Sequence, residues 1–288
     1  LGFICRLFGG NRQVYYRKVK RTKIRLQVAM TIVSLVQEIR INQPRIGIRK
    51  LCYLLQDKLE VLKVGRDTLF DILRANHLLI TPKRSYQTTT MSHHRFRKYP
   101  NIIKELEIHR SNQVWVSDIT YIGKREKPCY LSLITDAYSK KIVGFEVSNT
   151  MCTSHMVKAL KLAQRQRNIK EALIHHSDRG VQYCSDEYQE YLKKYKITSS
   201  MTENSDPYEN AIAECINGIL KQEFMIDTYH LELSIMKKIV AQAIRIYNHE
   251  RPHWSNHMLT PSQMHKTQQM NYRTYKTKNS SNLMATTV

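Results

Sequence analysis

The sequence predicts an α/β fold, a mixed five-stranded sheet covered by helices, preceded by a small all-α domain. Two observations support this prediction. Before residue 81, apolar residues recur at helical spacing in three short segments. From Gln113 onward, segments rich in β-branched and aromatic residues alternate with helical segments in the order β-β-β-α-β-α-β-α-α. That order is typical of a mixed sheet with helices packed on it.

The N-terminal helices are predicted at 24–41, 47–55 and 66–76. The first should end before Pro44, because proline disfavours helix at the residue that precedes it. Three short helices with a glycine-containing break and basic outer faces match a helix-turn-helix module, in which Arg66 and Arg74 would contact a DNA groove or phosphates. A small helical bundle with a basic surface remains the alternative.

The α/β part begins with three consecutive strands, at 113–122, 129–137 and 141–148, and continues with strands at 172–175 and 197–201. The predicted helices lie at 153–166, 186–195, 208–225 and 233–247. We therefore divide the chain into a basic N-terminal arm (1–25), the helix-turn-helix domain (26–80), a basic linker (81–112), the α/β domain (113–265) and a polar tail (266–288).

The charge distribution predicts nucleic acid as the partner. Lys and Arg number 46 against 24 Asp and Glu, a net charge of +22, and residues 1–112 hold 23 of the basic and 7 of the acidic side chains. Residues 12–25 mix basic and aromatic residues, as a solvated helix end or a DNA-contacting arm would. No apolar run approaches the ~20 residues of a membrane helix, which excludes a membrane-spanning protein at this stage.

The six cysteines are scattered without a CxxC pair, which predicts reduced thiols in the cytoplasm and neither disulfides nor a zinc site. His93 and His94 stand in the basic linker without a third ligand at metal-binding spacing, so we interpret them as part of a solvated loop.

Two aspartates stand where a strand should be apolar. Asp118 lies inside the hydrophobic segment WVSDITY, and burying a carboxylate costs several kcal/mol unless it is paired or binds a metal. A strand-end Asp that bonds to a backbone turn is the alternative. Asp178 follows the strand that contains His175, at the carboxyl end where open α/β sheets bind ligands.

A third carboxylate is predicted on the helix at 208–225. Glu214 lies at the edge of an apolar face predicted to comprise Ala211, Ile212, Cys215 and Ile219, with Leu220 as a further candidate, whereas Glu209 and Glu223 are predicted to be surface residues. Three carboxylates from separate elements form an oxygen-rich site suited to Mg²⁺, with Mn²⁺ able to substitute and Zn²⁺ disfavoured.

Four ordered motifs make the sequence resemble a known family. They read WVSDITY at 115–121, HHSDRGVQY at 175–183, ENAIAE followed by LKQE within 209–223, and YNHERPH at 247–253, with 35 residues between Asp178 and Glu214. These motifs resemble the OrfB transposases of insertion-sequence family three, in the retroviral-integrase superfamily. The segment INQPRIGIRKL at 41–51 resembles their helix-turn-helix.

The resemblance implies a ribonuclease-H-like catalytic core with Asp118, Asp178 and Glu214 as a metal-binding triad for two Mg²⁺ ions. It implies DNA with terminal inverted repeats as substrate, target DNA as second substrate, and hydrolysis that frees a 3′-hydroxyl, which then attacks another phosphodiester. Lys221 and Arg251 would hold DNA phosphates. His176 and Asn210 would contact the metal ligands or DNA, and packing roles are equally open for both.

The resemblance also implies a homo-multimer on DNA, an upstream-frame partner protein, and a location in the bacterial cytoplasm at the nucleoid. Two positions depart from the family pattern, since Glu209 and Cys215 replace the more common Asp and the more common Arg or Ser. Two alternatives are an inactive copy that only binds element ends, and a ribonuclease-H-like nuclease without strand transfer.

Overall fold

The computed structural model describes residues 1–81, 96–123, 128–167, 171–203, 210–229 and 231–267. The N-terminal part is all helical, with α1 (Gly2–Leu7), α2 (Arg12–Asn42), α3 (Ile48–Leu54), α4 (Gln56–Val61) and α5 (Arg66–Ala75). Its core comprises Ile32, Val36, Ile46, Leu51, Leu55, Leu59, Leu69 and Leu73. Core residues lie in each of the three helical segments predicted from the spacing of apolar residues, at 24–41, 47–55 and 66–76.

The basic N-terminal segment differs from the prediction of a separate arm. The long helix α2 begins at Arg12, where Asn11 accepts a hydrogen bond from the backbone N–H of Gln13 at 2.9 Å, and it continues without a break to Asn42. Its first half is solvent-exposed, Tyr15 and Tyr16 included. The short helix α4 was not predicted either.

The C-terminal part is built on the predicted five-stranded sheet, whose strands are β1 (Val114–Ile122), β2 (Cys129–Asp136), β3 (Ile142–Ser148), β4 (Leu173–Ser177) and β5 (Ile197–Met201). The strand order is β3-β2-β1-β4-β5. Strand β1 pairs antiparallel with β2 and parallel with β4, and β4 pairs parallel with β5. The sheet is mixed, as the sequence predicted.

Helices cover both faces of the sheet. They are α6 (Thr153–Gln164), α7 (Val181–Cys184), α8 (Asp186–Lys194), α9 (Ala211–Glu223), α10 (Leu233–His249) and α11 (Pro261–Lys266), with a 3₁₀ turn at Trp254–Asn256. One apolar cluster joins α9 and α10 to β2 and β3, and a second joins α6 and α8 to the other face. The predicted helix at 208–225 is observed as the shorter α9, and α7 was not predicted.

The predicted linker is described from residue 96 and contains no helix or strand up to residue 112. His93 and His94 lie outside the described residues, and so does most of the predicted tail. In the described ranges, no helix is long and apolar enough to cross a membrane.

The packing of α6 on β3 depends on Gly144. A Cβ atom at this position would lie 2.2 Å from the backbone oxygen of Ala159 and 2.9 Å from the Cβ of Ala163. We expect Gly144→Ala to push α6 off the sheet and to lower the free energy of unfolding by about 1–3 kcal/mol, as overpacked cores do. Urea unfolding followed by circular dichroism measures this loss.

Gly218 provides a control of opposite sign, because a Cβ there would meet nothing within 4 Å and the residue lies inside α9. Gly218→Ala should raise the free energy of unfolding by about 0.5–1 kcal/mol through helix propensity. Equal effects of the two substitutions would contradict the close approach of α6.

Candidate active site

Asp118 occupies the middle of β1. Its Oδ2 accepts a hydrogen bond of 2.7 Å from the side-chain amide of Asn217 on α9. Burial, followed by the negative charge of Asp178, raises the pKa of Asp118 from 3.8 to about 7, although the backbone N–H of Ile119 and the Asn217 amide oppose this. The negative charge of Glu214 raises this pKa further. Keeping the Asp118 carboxyl group ionised therefore costs free energy unless a positive charge lies beside it.

Asp178 lies beside Asp118 because of the strand register. Strands β1 and β4 are parallel and pair Ser117 with Ser177, so the next residue of each chain segment is an aspartate. The backbone N–H of Gly180 donates to Asp178 Oδ1 at 3.0 Å, which holds this carboxylate in a tight turn. The sheet therefore brings two carboxylates, 60 positions apart in sequence, to neighbouring positions.

The third predicted carboxylate, Glu214, lies on α9 and is exposed. Partial burial raises its pKa. Helix α9 packs against β1 and β2, and Asn217 lies one turn after Glu214 on the same helix. The hydrogen bond from Asn217 to Asp118 therefore ties the helix that carries Glu214 to the strand that carries Asp118.

The buried face of α9 differs from the predicted one. The buried residues are Ala213, Ile216, Asn217 and Leu220, whereas Ala211 and Cys215 are exposed. The predicted face was right for Leu220 and wrong for Ala211 and Cys215. A face chosen by apolar residues alone does not include Asn217, whose amide can be buried because it is hydrogen-bonded to Asp118. Asn217 is a site residue that the sequence analysis missed, and its signal was the spacing of three residues from Glu214.

The acidic groups are suited to a divalent cation by type, since they are carboxylates that repel one another. As placed, however, no three His, Cys, Asp or Glu side chains among the described residues form a group that could hold a metal ion. The side-chain oxygens of Asn210 and Asn217 are buried and have no hydrogen-bond partner among these residues. The Nδ2 group of Asn210 donates to the backbone oxygen of Ser117 at 3.3 Å.

The structure buries three residues for which DNA contacts were considered. His176 is fully buried and its Nδ1 lies 2.9 Å from Ser200 Oγ, and Asn210 is also buried, which favours the packing roles for both. The position of Arg251 differs from the predicted contact with DNA phosphates. Its guanidinium is buried and makes two hydrogen bonds to Glu223, at 2.7 and 2.8 Å. In this arrangement its N–H groups are directed at a protein carboxylate and not at DNA.

The prediction that Glu223 lies at the surface was wrong, because its side chain is partly buried between Arg251 and Lys50. Lys221 is half-buried, and burial lowers its pKa while the charges of Asp227 and Asp118 raise it. Arg66 and Arg74 are exposed on α5, where each pairs with a neighbouring aspartate of the same helix.

The strands that bring the aspartates together also hold a buried polar network, which the sequence did not reveal. His175 Nε2 lies 2.8 Å from Ser117 Oγ and 2.9 Å from Tyr188 Oη. Burial, followed by the charge of His176, lowers the pKa of His175 to about 3, so the imidazole is neutral. The network joins β1, β4 and α8 through residues of the two strands that bring the aspartates together.

A mixed five-stranded sheet defines the integrase type of catalytic core when one aspartate lies on its central strand, another follows the neighbouring parallel strand, and a helix that carries a glutamate packs beside them. Integrase core domain models match residues 108–207 and 195–261. An uncharacterized 31 kDa protein of insertion element IS600 from Shigella sonnei is 31% identical over 261 residues, which cover 87% of this chain and 93% of that protein.

Transposase InsF of insertion sequence IS3A from Escherichia coli K12 is 34% identical over 153 residues, 53% of either chain. The HTLV-2 integrase catalytic core domain, solved in complex with magnesium, covers 54% of this chain and 97% of its own, with 19% identity and a TM-score of 0.44. The chain belongs to the transposases of insertion-sequence family three, in the retroviral-integrase superfamily.

Proposed function

We propose that this transposase cleaves and joins DNA strands at the ends of its element in a Mg²⁺-dependent reaction, and that Asp118, Asp178 and Glu214 hold the metal. The observation that carries the proposal is the state of Asp118. Its carboxyl group is partly buried in the middle of a strand, and its pKa is raised to about 7 by burial and by the charges of Asp178 and Glu214. A group held in this way destabilises the fold, which points to a functional role.

The residues present fit a divalent cation. Carboxylate oxygens are the ligands that Mg²⁺ and Mn²⁺ prefer, and the unsatisfied oxygens of Asn210 and Asn217 would accept hydrogen bonds from the water molecules that Mg²⁺ retains. Two bound cations would neutralise the carboxylates and polarise the phosphate oxygens of DNA. Glu214 is exposed, so its side chain is free to turn toward the aspartates when a cation is present.

The chemistry has two steps. In the first, a water oxygen attacks a phosphorus atom at the element end, the P–O3′ bond breaks, and the 3′-oxygen leaves as a hydroxyl. In the second, that 3′-oxygen attacks a phosphorus atom of the target strand, whose own 3′-oxygen leaves. Asn217 would hold Asp118 in place during both steps, and the ammonium of Lys221 would contact a DNA phosphate.

The helical domain would bind the inverted repeats. Arg66 and Arg74 are exposed on α5 and, through their basic charge, are candidates for phosphate or groove contacts. The net charge of the whole chain, +22, favours its association with the negatively charged DNA backbone. We further propose that the enzyme acts as a homo-multimer on DNA, with two element ends held together, in the bacterial cytoplasm at the nucleoid, alone or with an upstream-frame partner.

Strand transfer of a labelled oligonucleotide that carries the element's own inverted repeat tests the proposal. In Mg²⁺, we expect joined product from the unmodified chain and none from Glu214→Gln. Glu190→Gln is the matched control, because Glu190 is an exposed glutamate on α8, away from the aspartates, and it should join at the unmodified rate. A gel shift should show equal DNA binding by all three proteins.

Other outcomes would select the alternatives. Binding without cleavage or joining, in Mg²⁺ and in Mn²⁺, would identify an inactive copy that only occupies element ends. Cleavage without joined product would identify a nuclease. Joining by Glu214→Gln at the unmodified rate would remove this glutamate from the proposed metal site.

A further inference from the structure

The last residue of α9, Glu223, is held by two cations from different parts of the chain. Its Oε1 accepts a hydrogen bond of 2.7 Å from Lys50 Nζ and one of 2.8 Å from Arg251 Nη2, and its Oε2 accepts one of 2.7 Å from Arg251 Nε. We call these three residues the Glu223 cluster. Lys50 belongs to α3 of the helical domain, and Arg251 follows α10 of the catalytic core.

A backbone contact reinforces the cluster. The N–H of Arg45, in the turn between α2 and α3, donates to the backbone oxygen of Glu223 at 3.2 Å. Close by in sequence, the guanidinium of Arg49 lies 5.4 Å from the ring centre of Trp254, in the 3₁₀ turn that follows Arg251. The helical domain is therefore attached to the core at the end of α9 and at the segment after α10.

The cluster is shielded from water. The side chains of Lys50, Glu223 and Arg251 are only 16%, 23% and 3% exposed. Burial raises the pKa of Glu223, but the hydrogen bonds and charges of Arg251 and Lys50 outweigh it and leave this pKa below its ordinary value. Ion pairs that are shielded in this way are weakly screened by salt and have a fixed geometry, unlike pairs at a protein surface.

The attachment point lies on the helix that carries Glu214. The two glutamates are nine residues apart on α9, about 14 Å along a helix that rises 1.5 Å per residue. Because a helix of this length moves as a rigid rod, a shift of the helical domain against Glu223 would be transmitted to Glu214 and, through Asn217, to Asp118. A misplacement of 1 Å at a reacting centre can lower a rate about a hundredfold.

We propose that Glu223 is a positioning residue, which sets the register between DNA bound by the helical domain and the active site by fixing α3 to the end of α9. This inference rests on the proposed strand-transfer function. Glu223 does not contact the reacting atoms in it. Its effect would appear only with substrates long enough to contact both domains.

Lys50→Met is the variant of choice, because it removes the contact to the helical domain while the pair of Glu223 with the buried Arg251 stays intact. Lys58→Met is the control, since Lys58 is an exposed lysine of α4 in the same domain and loses the same charge. Lys50→Arg is the conservative variant that should retain activity. Joining is measured with element-end duplexes that are shortened stepwise from the inner end.

With the longest duplex, we expect Lys50→Met to join about tenfold more slowly than Lys58→Met. With the shortest duplex that is still joined, the two variants should be equal, and Lys50→Arg should match the unmodified chain throughout. Amide hydrogen exchange without DNA should be faster at the end of α9 in Lys50→Met alone.

Two results would overturn the inference while the unmodified chain joins DNA. Equal rates of the two variants at every length would show that the contact does not position DNA. The same loss at every length would show that Lys50 acts only through stability. If the unmodified chain joined none of the duplexes, the proposed function would fail, and the positioning role would fall with it.

Discussion

Asp118→Asn is expected to lower DNA joining by about three orders of magnitude or more, because it removes a metal-binding charge from the proposed reacting centre. The same substitution should make the folded protein more stable at alkaline pH. Both effects have one cause. The proposed metal site requires an ionised carboxylate in a place where burial and two neighbouring carboxylates make ionisation unfavourable.

The direction of the pH effect follows from proton linkage. The pKa of Asp118 is about 7 in the fold against 3.8 for an ordinary aspartate, so the folded protein binds the proton more tightly than the unfolded chain does. The free energy of unfolding therefore falls as the pH rises from about 4 to about 7, by an amount on the order of 4 kcal/mol. The Asn variant lacks this decline.

Urea unfolding at pH 4 and pH 8 in a metal chelator measures the difference. At pH 8 Asp118→Asn should unfold at higher urea than the unmodified chain, and at pH 4 the two should be close. Asp57→Asn, at an exposed residue of α4, should follow the unmodified chain at both values. Mg²⁺ should then raise the stability of the unmodified chain far more than that of the Asp118 variant.

If Asp118→Asn were less stable than the unmodified chain at pH 8, the inference that ionised Asp118 destabilises the fold would be wrong. An equal effect of Mg²⁺ on both proteins would contradict Asp118 as a metal ligand.

Asp136→Ala is expected to cause the largest loss of stability without removing a group from the active site. Asp136 ends β2 and is fully buried. Its Oδ1 accepts hydrogen bonds from the N–H and the hydroxyl of Ser139, at 2.7 and 2.6 Å, and its Oδ2 accepts one from the N–H of Asn112 at 2.7 Å. His265 of α11 lies against the same group, with its Nδ1 2.9 Å from Ser139 Oγ.

Alanine would leave these donors buried and unsatisfied. Each hydrogen bond to a charged acceptor contributes about 1.5–3 kcal/mol, so we expect the free energy of unfolding to fall by about 3–5 kcal/mol. Thermal and urea unfolding check this, with Asp57→Ala as the exposed control. A loss below about 1 kcal/mol would show that the β2–β3 turn, the linker and α11 do not depend on this carboxylate.

Much of this molecule could be predicted from local pattern. The spacing of apolar residues located the helices around Leu51 and Leu69, and β-branched segments located all five strands, because burial of one helix face or one strand imposes a period on the sequence. The ordered motifs indicated the family, which the comparisons confirmed. The same motifs singled out Asp118, Asp178 and Glu214 as chemical groups, and their catalytic role remains a proposal.

Other features were decided by tertiary structure alone. Arg251 and Glu223 were assigned to DNA and to solvent, yet they form a shielded pair with Lys50, and Asn217 is buried by its bond to Asp118. The partners are 28, 173 and 99 positions apart in the chain. The local sequence around a charged or polar side chain is the same whether that side chain contacts water, DNA or a residue from a distant segment. Sequence therefore determined the five strands and the longer helices, and only the packing of those elements determined which polar groups contact one another inside the fold.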